Sequence, residues 1–236
     1  MNNLISGSSS GLGRFLLENL QGDKLTRNIA HPYPRCIYSS IIHCAWPKDY
    51  EYNYINNITQ LTDQLILQPH KKFIFLSSID VYPKNKAINT ENDRINPNDI
   101  LGLYGVGKFL IEELIKARCE NYLILRCGAF LGKYTPDNNI RRVSEGRDAS
   151  ISCESKFNII TYEQILDFIK LGLEKDLTGI YNIVAKNNIK LIDLDGIGMN
   201  YGEYLYQTPK ISYEKLLTMA PQLCKSSIKN FGRWIK

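Results

Sequence analysis

Short apolar runs alternate with amphipathic stretches along most of this chain. Asn3–Ser6 reads as a buried strand, and from Arg14 to Leu20 the apolar positions fall at helical spacing. Lys24–Thr26 reads as a brief second strand, and Cys36–Cys44 is a near-continuous apolar run of the kind a doubly covered parallel strand shows. Tyr54–Leu67 fits a helix closed by Pro69, and Lys72–Ser77 is another buried strand, followed by a polar loop with Pro83 and Pro97. Next comes a helix in which Leu110, Ile111, Leu114 and Ile115 are spaced to face a core while Glu112, Glu113 and Lys116 face water. Tyr122–Arg126, Phe157–Ile160 and Gly179–Val184 read as further strands, Tyr162–Glu174 as a helix, and Ser212–Ala220 as helix-like. This alternation predicts an α/β fold with a parallel sheet covered on both faces. Residues 1–132 and 157–185 carry it. The polar segment 133–156 and the tail 186–236 break it, and predict a lesser second region over one end of the sheet.

Composition adds limits to that picture. At 236 residues and 44% hydrophobic content, the chain is long enough to bury a real core without disulfides or metal. The net charge of +5 is spread along the chain, with brief pairs such as Lys71-Lys72 and Arg141-Arg142, so no basic surface for nucleic acid is expected. The six cysteines form no CxxC pair and read as reduced thiols in a reducing compartment, with no metal site. No apolar run approaches the ~20 residues of a membrane span, and no leader pattern precedes the first strand, so a cytoplasmic protein without a membrane partner is expected.

Two local patterns carry chemistry. The first is Gly7-Ser-Ser-Ser-Gly11-Leu-Gly13, placed after the first strand and before the first helix. Glycines there let the backbone bend tightly and approach a pyrophosphate, whose charge meets free N–H groups at the helix start. Gly7, Ser9, Ser10, Gly11, Leu12, Gly13 and the following Arg14 are the candidate nucleotide-binding residues. The second pattern is Tyr104-x-x-x-Lys108 at the start of a helix. A tyrosine of ordinary pKa near 10 is a poor base at neutral pH, and a fixed ammonium one turn away stabilises its phenolate. Gly105 and Gly107 each weaken that helix by ~1 kcal/mol against alanine, which raises the question of what needs so little bulk there.

The Gly7-x-x-x-Gly11-x-Gly13 spacing resembles that of the short-chain dehydrogenase/reductase superfamily. Ile42-His-Cys-Ala-Trp46 looks like that family's fourth strand and cofactor-facing loop, and Asn56-Asn57-Ile58 resembles an asparagine-containing stretch of the following helix. Phe73–Tyr82 is similar to the SS-x-x-V-Y strand end of the extended branch, the nucleotide-sugar epimerases, dehydratases and ketoreductases. Tyr104-x-x-x-Lys108, Leu123–Arg126 and a closing segment with Pro209 complete a likeness that covers nearly the whole chain. It implies a Rossmann-like doubly wound sheet with a small C-terminal substrate-binding region.

The resemblance also implies roles. Tyr104 exchanges a proton with the substrate oxygen, Lys108 binds the nicotinamide ribose, and Ser78 hydrogen-bonds the substrate oxygen. Asn57 supports a water or the local backbone, while Cys44 and Ala45 join the cofactor-binding residues. The small residues beside Tyr104 would let a nicotinamide ribose lie close. Ser78 is chosen over Ser77 by its register with Val81-Tyr82, and Ser77 stays open. His43 reads as a strand residue and Tyr82 as a packing residue.

The chain also departs from that pattern. Only fifteen residues separate Leu20 from Cys36, where a strand, a helix and a third strand usually fit. The acidic residue expected to hold an NAD ribose is not evident, since Asp23 falls before the strand it should end. Arg27 instead places a guanidinium where a 2′-phosphate would sit, so NADP(H) is expected over NAD(H). Arg141 and Arg142, with Arg147, either pair with a nucleotide diphosphate or form a solvated loop. The resulting expectation is a homodimeric NAD(P)-dependent epimerase, dehydratase or ketoreductase acting on a nucleotide-activated sugar. The alternatives are a non-catalytic NADP(H)-binding regulator or scaffold of the same fold, and an isomerase-like dimeric partner in a sugar-biosynthesis complex.

Overall fold

The computed structural model describes residues 2–25, 37–47, 53–194 and 199–234. In chain order the first half comprises β1 (Asn3–Ser6), α1 (Gly11–Asn19), β2 (Gly22–Leu25), β3 (Ser40–His43), α2 (Tyr54–Ile66), β4 (Phe73–Ser78), α3 (Leu103–Arg118) and β5 (Tyr122–Cys127). There follow β6 (Ala129–Leu131), α4 (Asn139–Ser144), β7 (Lys156–Phe157), β8 (Ile159–Thr161), α5 (Tyr162–Glu174), β9 (Gly179–Ile183), β10 (Ile189–Lys190), α6 (Glu214–Met219) and α7 (Ser227–Trp234). Six strands form one parallel sheet in the order β2-β1-β3-β4-β5-β9. This is a Rossmann-like α/β fold.

Strand alternation explains how both faces are filled. In β4, Phe73 and Phe75 join the cluster of Ile58, Leu65, Ile111 and Ile115 from α2 and α3. Ile74 and Leu76 face the opposite cluster, with Leu12, Phe15 and Leu16 of α1 and Ile165, Phe168 and Ile169 of α5. The same period of two sorts Leu4 from Ile5, Ile41 from Ile42, and Ile124 from Leu123 and Leu125. The strand order reverses at β1, so the crevice beyond the carboxyl ends of β1 and β3 is the switch point where such sheets take ligands.

Several sequence expectations change in the structure. Asp23 lies within β2, where Asn2 Nδ2 donates to its carboxylate (3.3 Å). The 157–160 run is two short strands outside the main sheet, β7 antiparallel to β10 and β8 parallel to β6. Asn158 divides them: its amide accepts from Ala185 N–H (2.7 Å) and donates to Ala185 carbonyl (3.0 Å), as a strand backbone would. A smaller apolar cluster gathers Leu131, Ile140, Val143, Ile159, Leu191 and Phe231 around these strands. On α3, Leu110 is exposed and Glu112 is fully buried, the reverse of the solvent-facing glutamate expected.

Glu112 is buried because β4 and β5 supply its partners. Arg126, on the α3 side of β5, donates through Nε and Nη2 (3.1 and 2.6 Å), and Ser77 Oγ donates to Oε1 (2.5 Å). Amphipathic spacing marks such a position as polar and cannot see partners far away in the chain. No helix among the described residues is long and apolar enough to cross a membrane.

Candidate active site

The glycine turn is built by backbone constraints. Gly7 and Gly11 hold φ of +70° and +54°, a region that favours glycine. A Cβ on Gly7 would lie 2.6 Å from Ala45 N, and one on Gly13 would collide with the Gly7 carbonyl. These glycines therefore let the start of α1 fold directly against β1 and the exit of β3. Ser10 is the N-cap without a side-chain cap bond, so the first-turn amides of this nine-residue helix have no partner within it. The Ser8 hydroxyl is buried, with no partner among the described residues. An anion-binding helix start, a backbone free of side-chain bulk and an unsatisfied hydroxyl together fit a dinucleotide pyrophosphate. Ala45 N–H donates to Ser6 Oγ (3.3 Å), and burial pushes the Cys44 thiol up to about 12, so it stays neutral.

Beyond β4, the chain makes a short 3₁₀ turn, Ile79–Val81, capped by Ser78. Asp80 N–H donates to Ser78 Oγ (3.1 Å) and Ser78 Oγ to Asp80 Oδ2 (3.3 Å). The first turn of α3 rests against this turn, because a Cβ on Gly105 would collide with the Asp80 carbonyl and sit 2.7 Å from Ile100 Cγ2. Gly107 likewise faces protein, with Ile55, Tyr54 and Trp46 each 3.1 or 3.2 Å from its Cβ position. The two glycines thus serve close packing of the chain on itself, and the expected room for a ribose is occupied by Asp80 and Trp46. Gly105→Ala is expected to destabilise the fold by roughly 1–3 kcal/mol, despite alanine's better helix propensity, because the Asp80 carbonyl is backbone and has nowhere to go. Chemical denaturation measures this, and a stabilised variant would contradict the packing argument.

Lys108 is buried at 4% exposure. Its Nζ donates to the Leu76 carbonyl (2.7 Å) and sits 3.9 Å from the Trp46 ring centroid and 5.8 Å from that of Tyr104. Trp46 and Tyr104 meet edge to face at 5.8 Å. Burial pulls the Lys108 ammonium down from 10.5 to about 7, against smaller opposing contributions from Cys44, Cys127 and Glu112. The sign of the linkage follows. Between pH 7 and 10.5 the unfolded chain holds more protons at this position than the folded one. Folding stability therefore rises with pH across that window, and the burden of burying the charge is fully present below it. Lys108→Met is expected to flatten this slope relative to wild type in urea unfolding, and parallel curves would count against it.

Other expected residues fall differently. Ser77 points to the α3 face and is consumed by Glu112, leaving Ser78 as the serine that caps the turn on which α3 rests. Asn57 is exposed on α2, one position off the buried stripe of Tyr54, Ile58, Thr62 and Leu65, so it faces solvent. His43 is fully buried, bonded to Ser6 Oγ (2.7 Å) and Thr62 Oγ1 (3.1 Å), and burial lowers it to about 3, which keeps it neutral. Tyr82 is a buried structural residue, donating to Asn182 Oδ1 (2.8 Å).

The arginines are engaged elsewhere. Arg14 pairs with Glu18 (3.4 Å) and lies 3.9 Å over the Tyr134 ring. Arg141 donates to Glu145 (2.7 Å), Arg142 to Asp137 (2.8 Å), and Arg147 to both carboxylates (2.6 Å). These bonds, with Arg142 contributing most, hold the exposed Asp137 down at about 2. Arg27 lies outside the described residues. The residues that sequence reasoning missed are Trp46, Asp80 and Tyr206, whose hydroxyl donates to Asp80 Oδ1 (2.9 Å). Their only sequence signal is position: one follows a strand end, one follows Ser78, and the third lies in the tail.

The profile of the NAD dependent epimerase/dehydratase family matches residues 5–159. The chain belongs to that family. Members of this family are enzymes of the extended short-chain dehydrogenase/reductase branch, and this chain carries their fold. Among solved structures, MoeE5 in complex with UDP-glucuronic acid and NAD is similar over 100% of this chain and 98% of its own, with a TM-score of 0.80 at 15% identity. UDP-glucuronic acid 4-epimerase from Bacillus cereus, in complex with UDP-glucuronic acid and NAD, covers 100% and 99% with a TM-score of 0.75 at 18% identity. The dTDP-glucose 4,6-dehydratase of Bacillus anthracis str. Ames, in complex with NAD, covers 100% and 95% with a TM-score of 0.73 at 14% identity. At these identities the likeness speaks for the fold. No curated protein matches the chain significantly.

Proposed function

We propose that this protein is an NAD-dependent enzyme of the epimerase/dehydratase family that acts on a nucleotide-activated sugar, with Tyr104, Lys108 and Ser78 carrying proton transfer. The single observation behind the reading is the seating of α3's first turn on the Ser78–Asp80 turn, which brings the helix carrying Tyr104 and Lys108 against the ligand end of β4, where Ser78 lies. The Gly7–Gly13 turn would hold the pyrophosphate through its backbone, and the nicotinamide supplies or accepts the hydride when bound. Tyr104's phenolic oxygen takes or returns the proton of the sugar hydroxyl, Lys108 favours its phenolate, and Ser78 orients the same oxygen.

A nucleotide sugar is favoured by the neighbouring structures, two of which hold UDP-glucuronic acid. NAD rather than NADP(H) is proposed for two reasons. Arg14 is tied to Glu18 and Tyr134, and the neighbours were solved with NAD. A second reading, a dinucleotide-binding regulator without turnover, draws on the Trp46 ring covering Lys108.

One experiment separates the two. Purified protein is titrated with NADH and NADPH by fluorescence, then incubated with NAD and UDP-glucuronic acid or UDP-glucose, and the sugars are resolved by chromatography. Binding of NADH with conversion of a sugar supports the enzyme, and binding without conversion supports the regulator. Binding of neither nucleotide would remove both.

A further inference from the structure

We infer that Asp80 fixes the direction of the Ser78 hydroxyl, so that Ser78 meets the substrate as a hydrogen-bond acceptor and the site holds the alcohol form of the reacting carbon more tightly than the ketone. The inference rests on the placement of Ser78 at the reacting oxygen proposed above, and concerns a positioning residue that no sequence motif marks.

A serine hydroxyl has one hydrogen to donate and two lone pairs to accept with. Here the hydrogen goes to Asp80 Oδ2 (3.3 Å) and one lone pair receives Asp80 N–H (3.1 Å). One lone pair remains. Only a donor can use it, and a sugar hydroxyl is a donor while a carbonyl is not. In the bound alcohol the hydroxyl donates to Ser78 and accepts from the neutral Tyr104 O–H, and its hydrogen turns to Tyr104 once that phenol is ionised. When the substrate oxygen becomes a carbonyl, Ser78 must withdraw its hydrogen from Asp80 to follow it, or make no bond at all.

The carboxylate cannot turn away to release that hydrogen. Its other oxygen accepts from Tyr206 O–H (2.9 Å) and has Lys84 Nζ at 4.0 Å. Tyr206 is itself pinned, stacked on Phe157 (4.9 Å between centroids) with Lys84 Nζ 4.3 Å over its ring. Burial first, and the Asp80 charge second, hold the Tyr206 phenol above its usual range, so it remains a donor. The backbone of Asp80 is wedged under Gly105 of α3. A residue from the C-terminal segment thereby sets the orientation of a hydroxyl at the end of β4.

Two measurements test this. A joint neutron and X-ray structure of the full chain should place the Ser78 deuteron on the line to Asp80 Oδ2, and a deuteron directed away from Asp80 would overturn the inference. The second compares affinities for UDP-6-deoxyglucose and UDP-4-keto-6-deoxyglucose, which differ only at C4, by calorimetry with NAD present and in a Tyr104→Phe background that prevents turnover. In Asp80→Asn, Tyr206 claims the amide oxygen, so the amide nitrogen faces Ser78 and frees its hydrogen for a carbonyl. The ratio of alcohol to ketone affinity should fall about tenfold, the scale of one hydrogen bond. An unchanged ratio would overturn the inference. Adding Tyr206→Phe lets the amide turn over, and most of the fall should be reversed; its persistence would remove Tyr206 from the argument. Should the protein bind neither sugar, the proposed substrate class fails, and the deuteron position alone decides the role of Asp80.

Discussion

Tyr104→Phe is expected to lower turnover by ~10²–10⁴-fold, the usual worth of a positioned proton donor, with little change in dinucleotide affinity. The substitution removes one hydroxyl and keeps the ring that meets Trp46 edge to face at 5.8 Å, so the packing around Lys108 persists. Single-turnover formation of NADH from NAD and a reactive nucleotide sugar measures the chemical step, and a fluorescence titration with NADH measures binding. Loss of the chemical step with binding retained assigns the proton to this phenol. Equal turnover would move the proton to another group, and Asp80 is the carboxylate nearest in the chain to Ser78.

Glu112→Ala is expected to cost about 3–5 kcal/mol of folding stability, because it strands the Arg126 guanidinium and the Ser77 hydroxyl in the interior. Arg126 is 2% exposed and Glu112 0% exposed, so water cannot substitute for the missing carboxylate. Arg126 Nη1 already has no partner among the described residues, which leaves the pair little slack. The Tm should fall by roughly 10 °C for a chain of this size. Replacing both partners by apolar residues of similar volume, as in Glu112→Leu with Arg126→Met, should recover most of the loss, since it removes the buried charge together with its partner. Denaturant titration of the two variants beside the wild type checks the pattern. A Glu112→Ala protein of wild-type stability would mean that Arg126 reaches solvent.

What was legible in the sequence follows from the range of the interactions involved. The β1 and α5 bounds, and the alternation that makes a doubly covered sheet, rest on periods of two and three to four residues, which any local window contains. The glycine turn was legible because its backbone demands are local: Gly7 and Gly11 must adopt positive φ whatever surrounds them. Positions 104 and 108 share a helix face for the same reason. The 157–160 run was misread as part of the main sheet because apolar content predicts a strand and says nothing about its partner. The partners are β10 and β6, and Asn158 between the two strands bonds to Ala185 instead.

By itself, the sequence determined the α/β class, the placement of a glycine turn at the first strand's end, and the position of Tyr104 and Lys108 one turn apart on one helix. Each depends on neighbours a few residues apart. Only the tertiary structure decided that Glu112 lies inside and Leu110 outside, that Gly105 and Gly107 make room for Asp80 and Trp46, and that Ser77 and Ser78 part ways between a buried ion pair and the turn after β4. Most of those outcomes depend on partners distant in the chain, such as Arg126 for Glu112, Glu112 for Ser77 and Trp46 for Gly107. Burial raises the free energy of a lone charge or hydroxyl so steeply that the distant partner, not the local pattern, settles where the side chain goes.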